Sequence, residues 1–221
     1  LYDDGEVLYP FGHGLSYTTF AYSNLTAEKK AGGVLFRLTV ENTGERDGDE
    51  VVQLYAQALT SRVKRPLRQL CAFQRVHVPA GECCPVTLFV PQHALEFYDV
   101  TREKMVMEQG RYAFRAGASS ADIRLELELT LDGETIPSRD LGTPVLCKNY
   151  DTKSGIATTL QFSKGQNDWY GCTNDLGGEF VFAQAAFENY TAAELWAAAP
   201  CAKATVRIFA GEQELGSVEI P

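Results

Sequence analysis

Arg124-Leu125-Glu126-Leu127-Glu128-Leu129-Thr130-Leu131 places leucine at every second position, with charged or polar residues between. A β-strand sends alternate side chains to opposite faces, so this stretch has one apolar and one solvated side. A helix would smear the leucines around its circumference. Val34-Leu35-Phe36-Arg37-Leu38-Thr39-Val40-Glu41 repeats the pattern, with Val34, Phe36, Leu38 and Val40 on one side. Less regular strand signals run over 50–57, 70–78, 83–90, 95–99 and 110–116. Turn chemistry separates them at Thr43-Gly44, Pro79-Ala80-Gly81 and Gln109-Gly110. About seven short strands in about 110 residues, with no long helical pattern, predict an immunoglobulin-like antiparallel β-sandwich.

Ahead of the strands, Leu8-Tyr9-Pro10-Phe11-Gly12-His13-Gly14-Leu15-Ser16-Tyr17-Thr18-Thr19-Phe20 has no regular period. Its two glycines permit unusual backbone angles, Pro10 fixes its own, and its aromatics suit a path pinned against a surface. The stretch reads as a connector to something before it; an ordinary terminal arm is the plainer alternative.

This opening resembles the exit from the second catalytic domain of glycoside hydrolase family 3 enzymes into their fibronectin type III-like domain. The likeness continues in order. It runs through Asn42-Thr43-Gly44, Gly48-Asp49-Glu50-Val51-Val52-Gln53-Leu54-Tyr55, Arg65-Pro66-Leu67-Arg68-Gln69-Leu70, Phe73-Gln74-Arg75-Val76 and Pro79-Ala80-Gly81-Glu82. Gly110-Arg111-Tyr112 and 117–124 complete it. Singly these motifs are weak, and their ordered succession over roughly half the chain is the evidence. The resemblance implies a connector over 1–22, a fibronectin type III-like sandwich over 23–132, and the C-terminal accessory region of a β-glucosidase or β-xylosidase. Its partners would be catalytic domains of the same polypeptide, carrying the nucleophile and the acid/base.

From 133 to 144 the alternation lapses into Asp132-Gly133-Glu134, Pro137-Ser138 and Gly142-Thr143-Pro144, a linker signature. Beyond it, Tyr150-Asp151-Thr152-Lys153-Ser154-Gly155-Ile156 and Gly165-Gln166-Asn167 resemble the opening of a family 6 carbohydrate-binding module. The expectation for 145–221 is therefore a second, truncated jelly-roll-like β-sandwich. Within it 204–209 and 214–220 alternate around a turn at Ala210-Gly211-Glu212. The stretch 191–199 is rich in helix formers, but the resemblance makes it a strand ahead of Pro200.

The net charge of −9 repels a polyanion, which argues against a nucleic-acid partner. No apolar run approaches the length of a bilayer span, so no membrane partner is expected. The six cysteines show no paired CxxC spacing and no histidine at a ligand interval, against a zinc site. Cys83 and Cys84 would point to opposite faces of a strand. This unpatterned usage leans towards a reducing, intracellular compartment, whereas a signal peptide on a longer polypeptide would mean secretion.

Glycoside hydrolysis needs two carboxyl groups flanking the scissile bond. The acids here cluster in turns, as Asp47, Asp49 and Glu50 do around Gly48, so no catalytic residue is assigned and no cofactor is implied. No triad surrounds the histidines, and no glycine-rich phosphate loop precedes a helix. Arg62, Lys64, Arg65 and Arg68 crowd one loop of an acidic chain. The resemblance sets that loop beside the catalytic domains, making Arg65 and Arg68, with Phe11 and Tyr17, candidate docking residues; a solvated loop is the alternative.

A sugar ring has an apolar C–H face ringed by hydroxyls, which an exposed aromatic and nearby amides recognise. Asn167, Trp169, Tyr170 and Trp196 are the candidates for β-linked glucan or xylan oligosaccharides; core packing is the alternative for the aromatics. The module family opens with an acidic Glu-x-Glu that helps hold calcium. Leu146-Cys147-Lys148 stands there instead, so no metal site is expected. A competing reading of the whole chain is a non-catalytic carbohydrate-binding or adhesion protein of tandem sandwiches.

Overall fold

The computed structural model describes residues 7–143, 145, 149–163, 166–173, 177–183, 185–186, 190–194 and 204–220. The chain divides into two compact units, Leu1–Ala185 and Ala186–Pro221. In the first, β1 (Phe20–Lys30), β2 (Gly33–Asn42) and β5 (Cys83–Pro91) form a three-stranded sheet in the order β1-β2-β5. A four-stranded sheet holds β3 (Gly48–Ala58), β4 (Gln69–Val78), β8 (Gly110–Gly117) and β9 (Ile123–Leu131), in the order β4-β3-β8-β9. Every pairing in both sheets is antiparallel. A 3-10 turn at Gln92–Leu95 leads into a small hairpin, β6 (Phe97–Asp99) and β7 (Lys104–Val106).

The alternation read in the sequence builds the core. Val34, Phe36, Leu38 and Val40 of β2 join Val86, Leu88 and Val90 of β5, and the inward residues of β3, β8 and β9 complete the cluster. The Phe36 and Phe114 rings lie 4.6 Å apart, centroid to centroid, within it. The result is an all-β sandwich of the immunoglobulin and fibronectin type III kind.

β1 is absent from the strands expected above, and its geometry explains why. Asn24 takes a positive φ of 58°, and the register with β2 shifts between Ser23 and Thr26. Phe20 and Tyr22 face the core before this bulge, and Leu25 and Ala27 after it. The extra residue reverses the phase of alternation, so no continuous period-two pattern survives.

Two buried polar clusters fasten the sheets. The Tyr22 hydroxyl of β1 donates to Glu50 Oε1 of β3 at 2.8 Å, and Arg124 of β9 reaches the same oxygen at 3.3 Å. The Arg124 guanidinium also stacks over the Tyr22 ring at 4.6 Å. Asn42, with no exposed surface, donates to the carbonyls of Arg46 and Val78 and accepts from the Thr18 hydroxyl and the Gly44 N–H. It therefore joins the end of β2, the turn into β3, the end of β4 and the connector.

The remaining strands of the first unit are β10 (Arg139–Asp140), β11 (Thr152–Ser154), β12 (Ile156–Ser163), β13 (Gln166–Thr173) and β14 (Glu179–Val181), followed by β15 (Ala185–Ala186) at the division. β12 pairs with β13 and β11 with β14, both antiparallel. Arg139, inside the expected linker, is 1% exposed. It donates to the Asn149 carbonyl and to Asp151 Oδ2 and lies over the Phe182 ring, which anchors 133–144 to the segment that follows. In the second unit β16 (Ala204–Ala210) and β17 (Gln213–Ile220) form the hairpin expected around Gly211, whose φ is +61°. Of the stretch expected as a strand over 191–199, residues 191–194 carry none; the rest, and Leu146-Cys147-Lys148, lie outside the described residues. Among the described residues no helix is long and apolar enough to cross a membrane.

Candidate functional site

The outer face of the four-stranded sheet carries Val51, Gln53 and Tyr55 of β3, which alternate with the core residues Val52 and Leu54. Outward residues of a one-sided sheet belong in solvent. Val51 follows that rule at 40% exposed, yet Gln53 and Tyr55 are 6% and 1% exposed. The connector covers them. Gln53 Nε2 donates to the Gly12 carbonyl at 3.1 Å and to the Ala118 carbonyl, while its Oε1 accepts from the Tyr55 hydroxyl. The Phe11 carbonyl accepts from the Ser120 N–H at 2.9 Å, and Arg68 donates to the Ser120 carbonyl. Burial pushes the Tyr55 hydroxyl above its ordinary pKa, with Arg68 opposing, so it stays a donor.

Gly12 is the residue that permits this close approach. Its φ is +77°, and a Cβ there would lie 1.9 Å from Gln53 Oε1. Further along, the Thr18 side chain fills the space in front of Gly44 and Gly48. The connector is thus held through its backbone and its small side chains. Its large apolar side chains are left in solvent: Phe11 is 66% exposed and Tyr17 96%, with Leu8 and Leu15 similarly bare.

The basic loop does not act as one cluster. The Arg62 side chain is 3% exposed and sits 3.6 Å from Asp99 Oδ1. Asp99 also accepts from Arg102 Nε at 2.8 Å and from the Thr101 N–H. Burial raises the Asp99 pKa, but these hydrogen bonds and the two arginines outweigh it and hold the carboxyl below its usual range. Arg65 donates to the Leu95 carbonyl at 3.0 Å and lies over the Phe97 ring at 4.4 Å. Arg62 and Arg65 therefore pin the loop onto the β6 hairpin, and Arg68 alone of the three stands at the connector. Gln53 and Tyr55 were not expected at this site. Their signal lay in the Gln53-Leu54-Tyr55 run, where two bulky polar groups share an outward phase.

For the sugar candidates, the backbone of β13 sets Asn167, Trp169 and Tyr170 opposite Phe162, Leu160 and Thr159 of β12. Their side chains and Trp196 lie outside the described residues. A hollow of about 370 Å³ on the first sandwich is lined by Thr60, Glu108, Arg111, Thr130 and neighbours. It has no aromatic wall on which a sugar ring could stack.

Residues 50–120 match the fibronectin type III-like domain, the segment that holds most of β3, all of β4, β5 and β8, and the connector's partners Gln53, Tyr55, Arg68 and Ser120. Among curated proteins, probable beta-glucosidase K of Emericella nidulans is 42% identical over 123 residues, covering 55% of this chain and 14% of that protein. Thermostable beta-glucosidase B of Acetivibrio thermocellus is 37% identical, covering 55% and 17%. Among solved structures, the GH3 beta-glucosidase of Bifidobacterium adolescentis superposes with a TM-score of 0.57 at 31% identity, covering 66% of this chain and 22% of that one. The chain spans between 14% and 22% of the length of these relatives.

Proposed function

We propose that the chain is the accessory C-terminal region of a longer family 3 β-glycosidase, of β-glucosidase or β-xylosidase type. In this reading 1–22 connects to the catalytic domains, the sandwich of 23–132 buttresses them, and 133–144 leads to 145–221. That last part is a partial carbohydrate-binding module resembling family 6, holding β-linked glucan or xylan nearby. One observation carries the reading: the connector is clipped to Gln53 by its backbone while Phe11, Tyr17, Leu8 and Leu15 project into solvent. Apolar side chains presented from a fixed backbone suit a neighbouring protein surface. Phe11, Tyr17 and Arg68 make that contact, and Arg65 supports it by fixing the loop.

The chemistry then belongs to carboxylates in the preceding domains, and this chain supplies rigidity and substrate proximity. The test compares the longer polypeptide encoded by the gene with the 221-residue chain on aryl β-glucosides and β-xylosides. Turnover by the longer polypeptide alone is expected. Repeated sandwiches ahead of the connector, with no glycosidase activity, would instead establish a tandem-sandwich adhesion protein. Retention of the completed module on insoluble xylan or cellulose, lost on Trp169→Ala or Trp196→Ala, tests the sugar-holding role separately.

A further inference from the structure

We infer that the small cavity behind Arg65 is a binding site for a single internal water, which ties the basic loop to the four-stranded sheet. The cavity is about 10 Å³ and is walled by Ala56 and Ala58 of β3, Gln69 of β4, Tyr112 of β8, Leu95 and Arg65. That is room for one water. Arg65 fixes its guanidinium plane twice, by donating to the Leu95 carbonyl at 3.0 Å and by lying over the Phe97 ring at 4.4 Å. A guanidinium is rigid, so these two contacts also aim its other N–H groups. Of those, Nη1 is buried and no group among the described residues accepts from it. A buried charged donor without an acceptor is costly, and a ligand in the cavity removes that cost.

The walls supply the other partners. Gln69 Nε2 donates to the Ala94 carbonyl at 3.1 Å, which leaves its amide oxygen to accept. The Tyr112 hydroxyl donates to the Glu108 carbonyl at 2.7 Å, which leaves its oxygen lone pairs. Burial pushes the Tyr112 hydroxyl above its ordinary pKa and the Arg65 charge opposes that push, so the guanidinium is near enough to act on the phenol. A water in the cavity accepts from Arg65 Nη1 and donates to the Gln69 and Tyr112 oxygens, the three bonds that an internal water ordinarily makes. The guanidinium repels a cation. A chloride is larger than a water and would set two oxygen acceptors against an anion. Loop, 3-10 turn and sheet then share one hub.

The test is a high-resolution crystal structure of the 221-residue chain, with a parallel bromide soak. Density for one water within hydrogen-bond distance of Arg65 Nη1, Gln69 and Tyr112 is expected. A dry cavity overturns the inference, and so does a bromide peak, which would make this an anion site. In solution, oxygen-17 relaxation dispersion counts long-lived internal waters. Arg65→Met keeps the length of the side chain and removes its donors, and it should lower that count by one; Arg68→Met should leave it unchanged. An unchanged count in Arg65→Met, or an equal fall in Arg68→Met, overturns the inference. Should Arg65→Met fail to fold, the crystallographic arm decides alone.

Discussion

The Tyr22 hydroxyl and the Glu50 carboxylate meet at 2.8 Å between the two sheets, one from β1 and the other from β3. Burial, reinforced by the Glu50 charge, pushes the tyrosine pKa well above its ordinary value. The phenol remains protonated and the sheets remain latched.

Removing one partner should cost more than removing the bond. Tyr22→Phe takes away a donor while Arg124 still satisfies Glu50, an expected loss of about 1 kcal/mol. Glu50→Ala strands the buried hydroxyl, while Arg124 keeps Asp122 and the Phe20 carbonyl, an expected loss of about 2 kcal/mol. Urea unfolding of the two variants measures the difference, and equal losses would show that the latch is not a unit.

Gly12→Ala should release the connector without unfolding the sandwich. The positive φ alone costs an alanine about 1–2 kcal/mol, and its Cβ collides with Gln53. Chymotryptic cleavage at Phe11 and Tyr17 should accelerate while the melting temperature of the core holds. Gln53→Ala should release the connector too, and adding Gly12→Ala to it should do little more, because both break one contact.

Asn42→Ala should be among the most damaging single changes. It deletes four hydrogen bonds at a site with no access to water, an expected loss of about 2–4 kcal/mol. Asn42→Asp should be worse, since a carboxylate would face the carbonyls of Arg46 and Val78. A higher urea midpoint for the aspartate than for the alanine would contradict the assignment.

Asp99 sets an acid limit on the loop that it anchors. Its folded pKa lies below the unfolded value of about 3.9, so its stabilisation is complete above about pH 5. That stabilisation is lost as pH falls through the depressed folded value. Asp99→Asn should therefore lower stability at pH 7, and the gap from the parent should narrow as pH falls below the ordinary carboxylate range. A gap that stays constant across that range would remove Asp99 as its cause.

How much of this was legible depended on distance along the chain. Strands β2 and β9 declared themselves, because burying one face imposes a period that neighbouring residues reveal. β1 did not, since the Asn24 bulge flips the phase midway. The roles of Arg62 and Arg139 were invisible for another reason. Each is neutralised by an acid from another segment, Asp99 and Asp151, and a charged residue in a loop looks the same whether it faces water or a buried carboxylate. The clasp between the connector and the sheet was half legible. Phe11 and Tyr17 stood out by composition, whereas Gln53 and Tyr55 needed the fold to show that an outward phase had been covered.

β5 forms one margin of its sheet, and it carries Pro85 and Pro91. A proline has no N–H to offer, so an incoming strand would find missing rungs along that margin. Edge-to-edge pairing with a second sandwich is thereby discouraged at this margin.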